Sequence, residues 1–237
     1  MSLSDEGVTG SEPIQTIRHG KIDLALHHLR PEPSTKGSRP LLLLHGLGES
    51  SPAAVPNVVA AWPGAIAALD FTGHGRSSVP HGGGYTAELL LADADAALGA
   101  LTGDDPQRSV TVVGRGLGAY VALQLAGSRP KLVRGAILTD GPGLAGGPTG
   151  PTSQSFFSLQ TDGSTPDPYA LFELSRDLRP PDYAASFVRL ALAGSPLDEP
   201  IAVCTIIRPE WVIAVANEHG VMDIPLAEAL ATYANAP

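Results

Sequence analysis

Four short apolar runs, each followed by a glycine-containing turn, constrain the fold of this chain more than any other feature of its sequence. The runs lie at residues 41–44, 65–70, 109–113 and 135–139. Each is apolar almost throughout, which is typical of a strand buried on both faces. Helical patterns separate the runs at residues 52–62, 86–101 and 117–126. Alternating strands and helices predict a mostly parallel sheet with helices on both faces.

The remaining segments are predicted from local composition. A β-hairpin is predicted from residues 14–18 and 21–29, turning near Gly20. We expect four parts in the chain: a flexible terminus, a core, a lid or cap, and a C-terminal strand with its helix, at residues 1–13, 14–140, 141–207 and 208–237.

Charge and cysteine content exclude several classes of protein. The chain has 15 Lys and Arg against 24 Asp and Glu, and no basic cluster, so nucleic acid is not an expected partner. A single cysteine excludes an internal disulfide and a multi-cysteine metal site, and no metal or cofactor is expected. No apolar run approaches the roughly 18 residues of a membrane span. Without a basic, apolar leader at residues 1–17, a cytoplasmic protein is expected. The Ala- and Gly-rich composition, with 12 Arg against 3 Lys, suggests a bacterial coding sequence.

The turns after the apolar runs follow a recognisable order. A His45-Gly46 turn comes first, then an Asp-x-x-Gly-x-Gly-x-Ser turn at residues 70–77, then Gly-x-Gly-x-Gly at residues 114–118. This order resembles the α/β-hydrolase fold superfamily, in which a G-x-nucleophile-x-G elbow follows the fifth strand. The resemblance covers residues 14–140. It implies a mostly parallel twisted sheet with helices on both faces, a short helical lid and descent from a serine hydrolase.

Gly116 departs from the family pattern. It stands at the nucleophile position of the elbow, where the family carries Ser, Cys or Asp. Because glycine has no side chain to attack a carbonyl, acyl-enzyme chemistry at this position is excluded. Glycine tolerates the strained elbow backbone at low steric cost, so the turn is retained without its chemistry. The elbow is also similar to that of the N-Myc downstream-regulated family, a branch considered non-enzymatic.

The same glycines permit a second interpretation. Gly114-x-Gly116-x-x-Ala119 after a strand, with Asp140 after the next strand, also fits a dinucleotide-binding fingerprint. Asp140 lies 140 − 114 = 26 positions after the first glycine, beyond the expected spacing of roughly 20 residues. Two hydrolase-like turns precede the motif, which favours the hydrolase interpretation.

Two alignments of the last third of the chain compete. In the first, residues 201–207 and 211–216 are the final two strands and His219 is the catalytic histidine. Only three residues connect these strands, whereas a parallel pair needs a crossover of roughly a dozen. The second, favoured alignment assigns 201–207 to the lid and makes 209–220 the seventh strand with its acid-bearing loop. Gly220 then takes the acid position, and the chain lacks the last strand and the histidine after it.

Four residues are predicted to bind a ligand. By position, the backbone N–H groups of Leu47 and Leu117 are the oxyanion-hole donors that the resemblance implies. His45 lies in the same turn region as Leu47, mainly to shape the loop, and Arg115 lies inside the elbow. We therefore expect a non-catalytic protein that binds a small carbonyl or carboxylate compound, without classical serine esterase activity.

Two alternative functions stay open from the sequence. Asp140 and His219 are candidates for a general-base dyad, acting in water-mediated hydrolysis or in a cofactor-free oxygenase or lyase step. A structural homodimer is the other alternative, because a missing last strand leaves a sheet edge exposed. Cys204 lies in an apolar stretch and is not a credible substitute nucleophile.

Overall fold

The computed structural model describes residues 14–35, 37–103, 105, 108–147 and 163–236. This part of the chain contains eight strands: β1 (Ile14–His19), β2 (Ile22–Arg30), β3 (Leu41–Leu44), β4 (Ile66–Leu69), β5 (Val110–Arg115), β6 (Val133–Thr139), β7 (Ile201–Cys204) and β8 (Val221–Asp223). They form one sheet in the order β1-β2-β4-β3-β5-β6-β7-β8. The β1–β2 and β2–β4 pairs are antiparallel and the other neighbours are parallel.

Six α-helices accompany the sheet in the described residues: α1 (Ala87–Thr102), α2 (Leu117–Ser128), α3 (Pro168–Leu174), α4 (Pro181–Gly194), α5 (Glu210–Ala216) and α6 (Leu226–Asn235). Alternating side chains of β3 face two separate apolar clusters. Leu42 and Leu44 belong to the cluster that contains α1, α2, α4 and α5. Leu41 and Leu43 pack in the cluster that contains α6. Helices therefore cover both faces, as the alternation of strands and helices predicts.

The predicted helix at residues 52–62 is wrong. A single turn of 3-10 helix, Asn57–Val59, is the regular structure formed there. Pro52 and Pro56 interrupt the segment, and proline supplies no backbone N–H and fixes φ. An open loop therefore connects β3 to β4 and leaves part of the α6 face of the sheet without a helix over it.

Both alignments of the C-terminal third are wrong in part. Residues 201–204 form β7 inside the sheet, so they do not belong to a lid or cap at 141–207. Residues 211–216 lie in α5, which supplies the crossover that a parallel β7–β8 pair requires. The last strand is present as β8, contrary to the favoured alignment. The expectation of a homodimer through a missing strand therefore loses its premise.

Two further predictions concern residues that lie wholly or partly outside those that the structure describes. The flexible terminus at 1–13 lies outside them, as does part of the lid or cap, residues 148–162. Within the described residues no helix is long and apolar enough to cross a membrane.

Candidate functional site

Gly116 forms the sharp turn between β5 and α2. Its φ of +59° and ψ of −117° lie in a region that L side chains rarely adopt. A Cβ atom added to Gly116 would lie 2.1 Å from the carbonyl oxygen of Pro142 and 2.5 Å from the carbonyl carbon of Gly141. Both neighbours belong to residues 141–147, which follow β6 and which we call the plug loop. The elbow therefore accommodates a side chain only if the plug loop moves.

The two predicted oxyanion-hole donors converge on one acceptor. The N–H group of Leu47 donates to the carbonyl oxygen of Pro142 at 3.0 Å, and the N–H group of Leu117 donates to the same oxygen at 2.9 Å. A carbonyl oxygen has two lone pairs, so one oxygen satisfies both donors. A backbone oxygen of the chain itself therefore lies at the point to which both predicted donors are directed.

Side chains from two other elements hold the plug loop. The guanidinium of Arg179 donates from Nη1 to the carbonyl oxygens of Gly143 and Leu144. Trp211 in α5 donates from Nε1 to the same Leu144 oxygen at 2.7 Å. Arg179 is buried, and burial lowers its pKa to about 10, an effect that the nearby Asp177 carboxylate opposes. Arg179 thus stays charged at neutral pH while it binds the loop backbone.

His45 is committed to hydrogen bonds inside the first turn. Its Nε2 accepts from the N–H group of Phe71 at 3.1 Å, and its Nδ1 lies 2.7 Å from the carbonyl oxygen of Gly46. These partners assign the neutral tautomer with the proton on Nδ1. Burial, together with the neighbouring His74, lowers the pKa of His45 to about 4. The imidazole therefore joins the backbone of this turn to that of the turn after β4.

The lowered pKa of His45 makes the fold sensitive to acid. The unfolded chain binds this proton near pH 6.5 and the folded protein only near pH 4, so stability falls as the pH decreases between these values. We expect a loss of about 2 kcal/mol between pH 7.5 and pH 5 from this group. Urea unfolding at both pH values measures it. His45→Asn should flatten the dependence, and replacing the exposed His81 by Asn should leave it unchanged; equal slopes in both variants would contradict the assignment.

Arg115 and Asp140 lie at the carboxyl ends of the parallel strands β5 and β6. The exposed Arg115 forms an ion pair with Glu49 at 3.0 Å and donates from Nη1 to the backbone oxygen of Asp140 at 2.9 Å. The Asp140 carboxylate accepts from the N–H groups of Ile206 at 2.7 Å and Ile207 at 2.9 Å. Asp140 therefore fixes the loop that follows β7.

The structure does not bring Asp140 and His219 together. Asp140 follows β6, whereas His219 precedes β8. Because β6, β7 and β8 run parallel, Asp140 lies at the carboxyl ends of these strands and His219 lies at their amino ends. His219 is exposed and makes no hydrogen bond to the Asp140 carboxylate. A strand at residues 211–216, as both alignments predict, would place His219 at the same end of the sheet as Asp140.

A cavity of about 510 Å³ lies beside the elbow, on the α6 face of the sheet. Its apolar lining includes side chains of three neighbouring strands, Leu43, Ala68 and Val113. Three residues singled out from the sequence, His45, Arg115 and Asp140, line it as well. Gly116, Leu47 and Leu117 do not line it. The sequence predicts binding over the elbow and does not predict a cavity beside it, for which the prolines of the β3–β4 connection were the available signal.

Comparisons with known proteins agree with the fold. Residues 36–159, just over half of the chain, match the model of the hydrolase family described as serine aminopeptidase, S33. The chain belongs to this S33 hydrolase family. A thioesterase domain from the curacin biosynthetic pathway aligns with a TM-score of 0.60 and 16% identity, over 94% of this chain and 98% of that chain. Est1E from Butyrivibrio proteoclasticus, with ferulic acid bound, aligns with a TM-score of 0.59 and 15% identity, over 93% and 96%.

These structural likenesses confirm the predicted α/β-hydrolase fold and nothing finer. The S33-family chain also matches an epoxide hydrolase from Vigna radiata at 21% identity and a TM-score of 0.42, over 56% of this chain. It spans 39% of that enzyme's length. No curated protein sequence matches the chain.

Three further positions of this S33-family chain bear on its chemistry: the elbow, the residues after β8, and Cys204. The elbow holds Gly116, and the residues after β8 are Ile224 and Pro225, where the resemblance implies a histidine. Cys204, at the end of β7, is half-buried, and burial with the nearby Asp223 raises the pKa of its thiol to about 12. The thiol is therefore protonated at neutral pH and unreactive. Within the described residues no group of three or more His, Cys, Asp and Glu side chains is arranged to hold a metal.

Proposed function

We propose that this chain is a non-catalytic member of its hydrolase family that binds a small carbonyl-containing compound without cleaving it. The observation that carries the proposal is the pair of hydrogen bonds from Leu47 and Leu117 to the Pro142 carbonyl oxygen. Acyl transfer requires a nucleophile, a base and vacant oxyanion donors. The elbow offers the glycine hydrogen in place of a nucleophile, and both donors already have an acceptor.

Energetics also oppose a substrate in the oxyanion hole. A ligand carbonyl that displaced Pro142 would form two hydrogen bonds and break two of the same kind, each worth about 1 kcal/mol. The exchange gains almost nothing, and it would also disturb the plug loop, which Arg179 and Trp211 hold from other elements. Ligand binding is therefore expected away from the elbow.

The proposal predicts no acyl-transfer activity. Purified protein incubated with p-nitrophenyl acetate and butyrate should release nitrophenolate at the buffer rate. A fluorophosphonate probe should leave the intact mass of the protein unchanged, while a known serine esterase treated in parallel is labelled. Saturable ester turnover, or stoichiometric labelling at any residue, would contradict the proposal.

A further inference from the structure

We propose that the cavity on the α6 face of the sheet is the ligand site of this protein and takes a small aliphatic molecule with one uncharged oxygen acceptor. The inference rests on the proposed binding function and gives it a location and a ligand class. The site lies beside the elbow and includes Arg115 from it, whereas Gly116 and both predicted oxyanion donors lie outside its lining.

The floor of the cavity is flat and aliphatic. Strand register pairs Leu43 of β3 with Ala68 of β4 on one side and with Val113 of β5 on the other. Paired residues in neighbouring strands point to the same face of a sheet, so these three side chains lie next to one another. They offer a ligand apolar contact along the width of three strands.

The roof comes from the β3–β4 connection and from the start of α6. Val58, Val59 and Leu226 line the cavity from this side. Val59 is buried, but Val58 is 66% exposed although it is apolar. An apolar side chain at the mouth gains from a ligand that covers it, since burying apolar surface is favourable. The volume of about 510 Å³ lies in the usual range of small-molecule sites, roughly 300–1,000 Å³.

One side chain at the rim has hydrogen-bond donors to spare. Arg115 uses Nε for the Glu49 carboxylate and Nη1 for the Asp140 backbone oxygen. Its Nη2 group makes no hydrogen bond to any residue that the structure describes. A guanidinium has five N–H donors in a fixed plane, so Nη2 can donate to a ligand oxygen while the other bonds persist.

The charges at the rim select against an ionised ligand. Glu49 and Asp140 line the same cavity as Arg115, so the rim carries two carboxylates and one guanidinium. A ligand carboxylate would meet the repulsion of both acidic groups and compete with Glu49 for Arg115. A ligand ammonium would lose its hydration in an apolar cavity while facing Arg115, and no carboxylate at the rim is free to compensate that loss fully, because Glu49 pairs with Arg115 and Asp140 holds two backbone N–H groups. A ketone, ester or ether oxygen accepts from Nη2 without either conflict.

Three probes of equal chain length test the ligand class. We expect 2-octanone to bind saturably in ¹⁵N–¹H NMR titrations, with the largest shifts at the amides of Leu43, Ala68 and Val113. Octanoate and octylammonium should bind at least tenfold more weakly at the same pH. Tighter binding of either ion would overturn the uncharged-ligand class.

Variants test the location of the site. Leu226→Trp fills the mouth and Ala68→Leu raises the floor, and each should weaken 2-octanone binding at least tenfold while the protein remains folded by NMR. Leu190→Trp, at an exposed position of α4 on the other face, should bind like the wild type. No saturable binding by the wild type, or undiminished binding by both folded cavity variants, would overturn the site. Ester turnover would contradict the proposed function and leave these binding results intact.

Discussion

Replacing Gly116 by Ala is expected to lower the free energy of unfolding by about 5 kcal/mol, through the sum of three costs. The positive φ of +59° strains any L residue, by about 1–3 kcal/mol. The new Cβ would lie 2.1 Å from the Pro142 oxygen, so the plug loop must move. That movement breaks two hydrogen bonds of about 1 kcal/mol each. The remaining crowding costs about 1–3 kcal/mol. Urea unfolding followed by tryptophan fluorescence measures the loss.

Gly20 provides the matched control. Its φ of +58° is nearly that of Gly116, but nothing lies within 4 Å of a Cβ added there. Gly20→Ala should therefore cost only the left-handed backbone term, about 1–2 kcal/mol. The additional loss in Gly116→Ala reports the contact with the plug loop together with the cost of the unusual ψ of −117° at Gly116. Equal losses would contradict that contact.

Replacing Arg179 by Met is expected to cost about 4 kcal/mol of stability, because two hydrogen bonds from a charged donor are lost at about 1.5–3 kcal/mol each. Methionine keeps an apolar side chain against the Tyr120 ring, over which the guanidinium lies with its Cζ 5.0 Å from the centroid. The carbonyl groups of Gly143 and Leu144 lose their Arg179 donor. Urea unfolding again measures the loss.

Two observations separate a role in the plug loop from a general loss of charge. Arg189→Met removes an exposed guanidinium that pairs with Glu218, and should leave the free energy of unfolding nearly unchanged, because solvent screens this pair. The indole N–H of Trp211, which donates to the Leu144 oxygen, should exchange faster with solvent in Arg179→Met than in Arg189→Met. Unchanged indole exchange, together with similar stability in both variants, would contradict the anchoring role.

The elbow was predictable from sequence because its determinants are local. The apolar run before Gly116 and the helical pattern after it fix a strand-turn-helix unit, and the structure forms this unit as β5, Gly116 and α2. The backbone positions of Leu47 and Leu117 follow from the same turns. Residue order along the chain is sufficient for these features, since each lies at the end of a strand or the start of a helix.

The acceptor of the two oxyanion donors was not predictable in the same way. Gly141-Pro142 indicates a turn after β6, and nothing in this dipeptide specifies which donors its carbonyl oxygen meets. That pairing depends on Arg179 and Trp211, which hold the loop from segments distant in sequence. Long-range side-chain anchors of this kind leave no periodic signal near the loop.

Helix α5 lies where the sequence pattern predicts a strand. The apolar run at residues 211–216 predicts a strand, but burial in the structure follows a helical face. Trp211, Val212 and Val215 are buried, whereas Ile213 is 47% exposed. Burial at positions i, i+1 and i+4 is typical of a helix that packs on one side. A strand at this position implies that His219 lies at the carboxyl ends of the strands beside Asp140, and the dyad hypothesis depends on that placement.

Hydrogen-bond scalar couplings test the central claim most directly. In uniformly ¹³C,¹⁵N-labelled protein, an experiment that detects couplings across hydrogen bonds should connect the amide nitrogens of Leu47 and Leu117 to the carbonyl carbon of Pro142. Both correlations, to one carbonyl, are the result expected when the protein's own backbone fills the oxyanion hole. Absence of both, with the two amides exchanging rapidly with solvent, would show vacant donors and contradict the account.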